Sequence, residues 1–401
     1  MSHKPSILIA GAGIGGLTAA LALLKRGFEV NVYEQAPVLG ELGAGLQLGP
    51  DGTRILQALG LGDEMVKTVC IAAQKDVRLW DTGMRRKLFD LGEDSLERFG
   101  APYWFVHRGD LHRVLREAVT DQSAGCIHTN KKAIGFEETE NHVTLSFEDE
   151  TSVSGDILIG ADGIHSVVRD CLFSSPKPAY VGIVAWRGLA KMEDLPDELR
   201  EPVGTNWVGP GGHAITYPLR RGEIMNFAAF TERNDWQVEG WSIQGTYEEC
   251  HADFEGWNPL IHDIIKVLDQ PFKWALAGRD PLQSWTKGRV TVLGDAAHPT
   301  LPFLAHGAIM ALEDAYVLAR CLSEQPEAAE AALKVYEQTR VERTTKIVNE
   351  SAKNAERFHN PILSEPQKAI EYINREWEPE KVKARYDWLF EYDATTAKLA
   401  V

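Results

Sequence analysis

Residues 6–34 read SILIAGAGIGGLTAALALLKRGFEVNVYE. Ile7 to Ala10 are a short apolar run of the kind that forms a buried parallel strand. Gly11, Gly13 and Gly16 follow at the G-x-G-x-x-G spacing. The first permits a tight turn, the second lets the backbone approach a pyrophosphate, and the third allows a helix to pack closely on the strand. Leu17 to Leu24 then open an Ala/Leu helix whose N-terminal dipole favours phosphate charge. Val30 to Tyr33 predict a second strand ending on Glu34, an acid placed to hydrogen-bond a ribose hydroxyl. Strand, turn, helix, strand and acid together predict a dinucleotide site. The acid disfavours a 2′-phosphate, and both NAD and FAD fit.

Outward from this motif, 401 residues are enough for two domains or one large elaborated one. The net charge of −16 argues against nonspecific nucleic-acid binding and against an anionic membrane surface. Five scattered cysteines, with no C-x-x-C pair, predict free thiols rather than disulfides or a metal site. No apolar run has transmembrane length, and Met1 to Pro5 leave too little chain for a signal peptide, so a cytoplasmic protein is expected.

Five glycines between Gly40 and Gly52 predict backbone lying close to a bound group, with a short helix over Thr53–Leu61. Two strands are expected within 76–91, turning at Asp81–Gly83. In HRGDLHRVLREAV, 107–119, Asp110 suits a helix N-cap, and Arg108 is either a surface cation or a phosphate ligand. Alternation over 126–159 predicts strands, the last from Ser152 to Ile159 leading into GADGIHSVVR, 160–169, a second strand–turn–helix element. Residues 175–285 hold seven of the eleven tryptophans, including Trp236 and Trp241. They read as a largely antiparallel sheet roofing a substrate pocket, with strands at 180–190, 204–219 and 223–231 and a helical stretch at 246–268. Val290 to Leu293 is a further buried strand, running into GDAAHPTLPFLAHGAIM and a helix from Gly307. One or two helices are expected over 326–358, then an aromatic tail.

GAGIGG with Glu34, GADGIHSVVR and GDAAHP, at these separations, resemble the three fingerprints of the single-component FAD-dependent aromatic hydroxylases, across residues 5–345. The tail YDWLFEYDA, 386–394, is similar to the ends of salicylate and 3-hydroxybenzoate 6-hydroxylase-like members. The resemblance implies an α/β fold: a Rossmann-like FAD-binding domain (1–75, 101–174 and 286–358), an inserted, mainly antiparallel substrate domain (76–100 and 175–285) and a helical tail (359–401). It implies tightly bound FAD, transient NADH or NADPH, a small aromatic substrate with O2, and a possible homodimer. The reductant would load the flavin, O2 would add at C4a, and the hydroperoxide would hydroxylate an electron-rich ring.

The implied FAD contacts are Gly11, Gly13, Ile14, Gly15, Gly16, Glu34, Gln35, Gln47, Arg108, Asn130, Asp162, Asp295, Pro299, Gly307 and Ala308. The resemblance thereby assigns Arg108 to the pyrophosphate. No metal is implied. His213 and Tyr217, four apart on a strand, share a face and are the catalytic candidates for holding the phenol. His306 and Ile309 depart from the family pattern: His306 is either a neutral replacement or a new proton donor, and Ile309 either tightens the pocket or alters flavin mobility. Phe303 and Gln47 replace histidines of the hydroxypyridine-type enzymes and favour a hydroxybenzoate-type substrate over 6-hydroxynicotinate. A flavoprotein oxidase or dehydrogenase that inserts no oxygen is the alternative chemistry.

Overall fold

The computed structural model describes residues 4–40, 45–234 and 243–400. Its opening motif is the middle of a six-stranded sheet. Ser6–Ala10 lies between Glu29–Tyr33 and Ile157–Gly160, all parallel, with Ile127–His128 and Val290–Val292 outside them and Thr286–Lys287 as an antiparallel edge. The central strands are continuously apolar because both faces are covered. Helices Arg108–Gln122 and Gly307–Glu324 pack on the helix Ile14–Leu24.

The single strand expected over Ser152–Ile159 is two. Ser152–Gly155 joins Ala133–Glu138 and Val143–Phe147 in a three-stranded antiparallel sheet, and Ile157–Gly160 enters the parallel one. Asp156 makes the corner, its carboxylate accepting from the Ser6 backbone N–H at 2.7 Å and the Ser6 hydroxyl at 2.8 Å.

An eight-stranded sheet forms the second layer, in the order Ile243–Gln244, Phe272–Gly278, Ala179–Lys191, Ile224–Glu232, Gly212–Leu219, Val203–Gly209, Gln74–Leu79, Arg85–Asp90. Every pairing is antiparallel except Val203–Gly209 with Gln74–Leu79. The expected run 204–219 is a hairpin turning at Pro210–Gly211, with Gly211 at φ +69°. The helical stretch at 246–268 is two helices. Tyr247–Asp253 starts on a Thr246/Glu249 capping box, and Pro259–Lys266 starts on Asn258. Trp186, Trp207 and Trp285 are core side chains, while Trp236 and Trp241 lie outside the described residues.

Other boundaries differ for local reasons. The helix expected at Thr53 begins at Pro50, whose fixed φ suits a first helical turn, and ends at Ala58; Gly62 opens the next, Gly62–Val66. Asp110 does not cap its helix. It sits inside Arg108–Gln122 and pairs with Arg220, Nε to Oδ2 at 2.9 Å. Residues 329–358 are one helix. The tail forms Pro366–Glu376 and Pro379–Phe390, and Tyr386 and Phe390 pack on Phe89 of the second sheet. Among the described residues no helix is long and apolar enough to cross a membrane.

Candidate active site

Turns that follow strands of the six-stranded sheet and side chains of the eight-stranded sheet line one cavity of about 490 Å³, within the roughly 300–1,000 Å³ usual for a ligand pocket. Gly13, Ile14, Gly15, Gln47, Arg108, Asp295, Pro299, Gly307, Ala308 and Tyr217 all line it, so the structure brings together most of the residues that sequence reasoning singles out. Arg187, Asn226, Phe230 and Trp274 also line it and carry no motif that could have flagged them.

The three glycines divide the work. Gly11 has φ +104°, and an added Cβ would stand 2.4 Å from the Ala161 carbonyl oxygen. A Cβ on Gly16 would come within 2.0 Å of the Gly11 oxygen. The protein's own packing therefore requires both. At Gly13 a Cβ would meet no protein atom within 4 Å. Space kept open beside bare backbone at a helix N-terminus fits a pyrophosphate. Glu34 closes the turn, accepting from Ala12 N–H at 2.8 Å and Ala36 N–H at 2.9 Å. Gln35 and Asn130 are exposed nearby. Asn130 is left-handed at φ +55° and donates its N–H to the Ala36 oxygen at 3.2 Å.

Asp162 is not in the lining, although Ala161, Gly163 and Ile164 are. Its carboxylate accepts from Val167 N–H at 2.8 Å, Val168 N–H at 3.2 Å and the Ser166 hydroxyl, capping the helix Val167–Leu172. Burial raises its pKa against those bonds. Asp295 opens onto the cavity yet is closely walled by protein. That enclosure raises its carboxyl pKa, opposed by His298 and Arg108. Burial lowers the Arg187 pKa and the neighbouring Arg108 adds to the effect, so two guanidinium groups bear on the same space.

The shared strand face does not bring His213 into the cavity with Tyr217. Four residues span about 13 Å of strand, enough to leave a pocket of this size. His213 is fully buried, stacked on Phe230 at 4.5 Å between ring centroids and edged by Phe303 at 5.0 Å. Its Nδ1 meets His359 Nε2 at 2.6 Å, and His359 Nδ1 meets Glu232 at 3.0 Å. Burial, then His359, pushes its pKa well below the usual histidine value, so the ring is neutral.

His306 and Ile309 also lie outside the lining. Ile309 packs on Gly52. His306 turns to Asp51, Nε2 to Oδ2 at 3.2 Å, and so joins a buried ionic network. Arg343 bonds Glu313 at 2.7 Å and Asp51 at 3.4 Å, and Arg340 bonds Glu313 at 2.5 Å and Asp314 at 2.8 Å. Asp314 also accepts from His298 at 2.6 Å and Gly294 N–H at 3.0 Å. The network thus grips both ends of the loop 294–307 that carries Asp295 and Pro299. Burial raises the Asp314 pKa, but His298 and Arg340 outweigh it and hold the carboxylate below its usual range.

Residues 4–351 match the model of the FAD-binding domain family. The chain belongs to that family. FAD is its cofactor, and it is a flavoprotein monooxygenase of aromatic rings, for which NAD(P)H as co-substrate is typical of the family. It is 38% identical over 360 residues to the 3-amino-4-hydroxybenzoate 2-monooxygenase PtnB3 of Streptomyces platensis, covering 90% of each chain. It is 36% identical over 400 residues to the 3-hydroxybenzoate 6-hydroxylase of Polaromonas naphthalenivorans (strain CJ2), covering 97% of each. Among solved structures it superposes on a variant of Klebsiella pneumoniae HpxO complexed with FAD. The TM-score is 0.82 at 28% identity, with 96% of this FAD-binding chain and 99% of the other covered.

Proposed function

We propose that the substrate is a phenolic aromatic acid of the hydroxybenzoate type, hydroxylated at the expense of NAD(P)H and O2. One observation carries this reading: Tyr217 and Asn226, paired across adjacent strands, both line the cavity. Asn226 Oδ1 accepts from Gly45 N–H at 2.8 Å, which turns its Nδ2 away, and that nitrogen has no acceptor among the described residues. Burial holds the Tyr217 phenol well above its usual pKa, so its hydroxyl stays a donor. The Tyr217 hydroxyl, a donor beside the apolar Ile215, Phe230 and Leu276, suits a ring bearing an oxyanion. Arg187, stacked on Trp274 at 5.1 Å, supplies positive charge for a carboxylate. The two curated relatives, named for hydroxybenzoate-type substrates, support the same class.

When bound, FAD supplies the redox chemistry that takes up reducing equivalents and activates O2. The chain's own residues bind, orient and shield. We assign Gly11, Gly13, Ile14, Gly15, Gly16, Glu34, Gln35 and Asn130 to the ADP end. Arg108, Asp295, Pro299, Gly307 and Ala308 belong to the remainder, Gln47 is placed where cofactor and substrate meet, and Asp162 shapes the adjacent turn. Segments 1–75, 101–174 and 286–358 act as the cofactor unit, 76–100 and 175–285 as the substrate unit, and 359–401 as a helical tail. Tyr217 donates to the phenolate and so lowers the substrate's pKa; being protonated, it is not the base. His213 supports Phe230 in the cavity wall. The working form is a cytoplasmic homodimer, which sedimentation tests against the 44.5 kDa chain mass.

Tyr217→Phe should lower kcat/KM by on the order of tenfold to hundredfold and divert NAD(P)H oxidation toward H2O2. Unchanged rate and coupling would remove Tyr217 from the site. NAD(P)H oxidation with salicylate, 3- and 4-hydroxybenzoate, gentisate and 6-hydroxynicotinate, with product identification, tests the substrate class. Product from 6-hydroxynicotinate alone would overturn it.

A further inference from the structure

Lys75 is a buried cation with no ionic reason to be there. It lies on Gln74–Leu79 and is 6% exposed. Its Nζ donates to Gln47 Oε1 at 2.9 Å, and the Tyr103 hydroxyl donates to the same oxygen at 3.0 Å. Across the sheet it faces Phe89 and Gly204. The next residue, Asp76, is held by Arg85. Beyond Tyr103 lie Tyr217, Tyr386 and Asp51, the last held by His306 and Arg343. Burial lowers the Lys75 pKa to about 8, and no carboxylate contributes to that shift. A methionine would fill the place without the desolvation cost.

We propose that Lys75 is a positioning residue that fixes Gln47 as a hydrogen-bond donor toward an anionic oxygen of the aromatic substrate, and that its charge is the counter-ion to that oxygen. An ammonium has no acceptor, so the carbonyl end of the Gln47 amide must face it. The amide nitrogen is thereby turned away, meets no acceptor among the described residues, and belongs to a side chain that lines the cavity. An anion accepted by that nitrogen completes the row ammonium, amide, oxyanion and strengthens each bond in it. The inference rests on the hydroxybenzoate reading, and its chemistry requires binding to favour the protonated lysine.

The test uses FAD-loaded wild type, Lys75→Met, Lys75→Arg and Gln47→Leu. Salicylate is the probe, because its charge is constant over pH 6.5–9.5. Its dissociation constant is read from the flavin spectrum, and proton uptake from calorimetry in two buffers. Wild-type affinity should fall about tenfold between pH 7 and 9, with proton uptake near pH 8. Lys75→Met and Gln47→Leu should bind about tenfold more weakly at pH 7, with flat profiles and no uptake; Lys75→Arg should restore the pH 7 affinity without the decline. The desolvation cost of Lys75 is full below pH 8 and fades toward the ordinary lysine pKa of 10.5, so Lys75→Met should also unfold at the higher temperature at pH 7. That melt and its FAD content show the variant folded. A flat wild-type profile without uptake, or a Lys75→Met profile matching wild type, overturns the proposal. If no hydroxybenzoate binds wild type, the substrate reading fails, and the same series with 6-hydroxynicotinate decides Lys75; absence of binding by every aromatic anion overturns both.

Discussion

Gly13→Val protein should fold, melt cooperatively and purify colourless. Gly13 has φ −71° and ψ −177°, extended backbone open to any residue, and a Cβ there meets no protein atom within 4 Å. The apoprotein therefore has no reason to object to valine. The cofactor would, because two added methyl groups fall in the open space beside Gly13 that is proposed for the pyrophosphate. A steric cost of about 3 kcal/mol is more than a hundredfold in affinity. Flavin content and the thermal midpoint with and without added FAD check the result. Full flavin content would remove Gly13 from the cofactor site. Loss of folding would place the constraint in the protein, as at Gly16, where a Cβ would overlap the Gly11 carbonyl.

Asp314→Ala should destabilise the protein by about 3–5 kcal/mol and loosen FAD with it. Asp314 and Arg340 are both fully buried, and the carboxylate accepts from Arg340, His298 and Gly294 N–H. Removing it leaves a guanidinium short of a partner, in a site already burying Arg340 Nη1 without one. Truncating one side of a buried pair costs more than the pair itself contributes, since the remaining charge stays desolvated. Gly294 has φ +59° and begins the turn that presents Asp295 to the cavity, so losing its N–H acceptor reaches the site directly. Denaturant titration of apo and FAD-loaded protein measures both effects. A change under 1 kcal/mol in either form would show that the loop is held by packing alone. Glu313 and Arg343 extend the network to Asp51 and His306.

The parallel core and the glycine turn are legible in residues 6–34 because strand, turn and helix there are set by neighbours in sequence. The same locality makes Asp295, Pro299 and Gly307 legible, since GDAAHP and the helix start lie within one loop. What sequence cannot supply is depth along an element and partners from afar. Period-two alternation puts His213 and Tyr217 on one face, yet the cavity ends before His213, and the partner that occupies His213, His359, comes from beyond the long helix. Asp162 reads in sequence as a ligand, and only the structure shows Val167 and Val168 N–H pointing at it. Lys75 gives no signal at all. On an alternating strand it reads as the solvent side, and only the approach of Gln47, on the strand Gly45–Leu48, and of Tyr103 shows that it is inside.

Oxygen insertion into a hydroxybenzoate-type ring is the reaction proposed for the cavity lined by Tyr217 and Asn226. The most direct measurement is mass spectrometry of the product formed by the FAD-loaded enzyme from 3-hydroxybenzoate or salicylate, with NAD(P)H under ¹⁸O2. The expected result is a dihydroxylated aromatic product carrying one ¹⁸O, formed in step with NAD(P)H consumed. NAD(P)H oxidation that yields only labelled H2O2 from every hydroxybenzoate, with no label in any phenol, would contradict it.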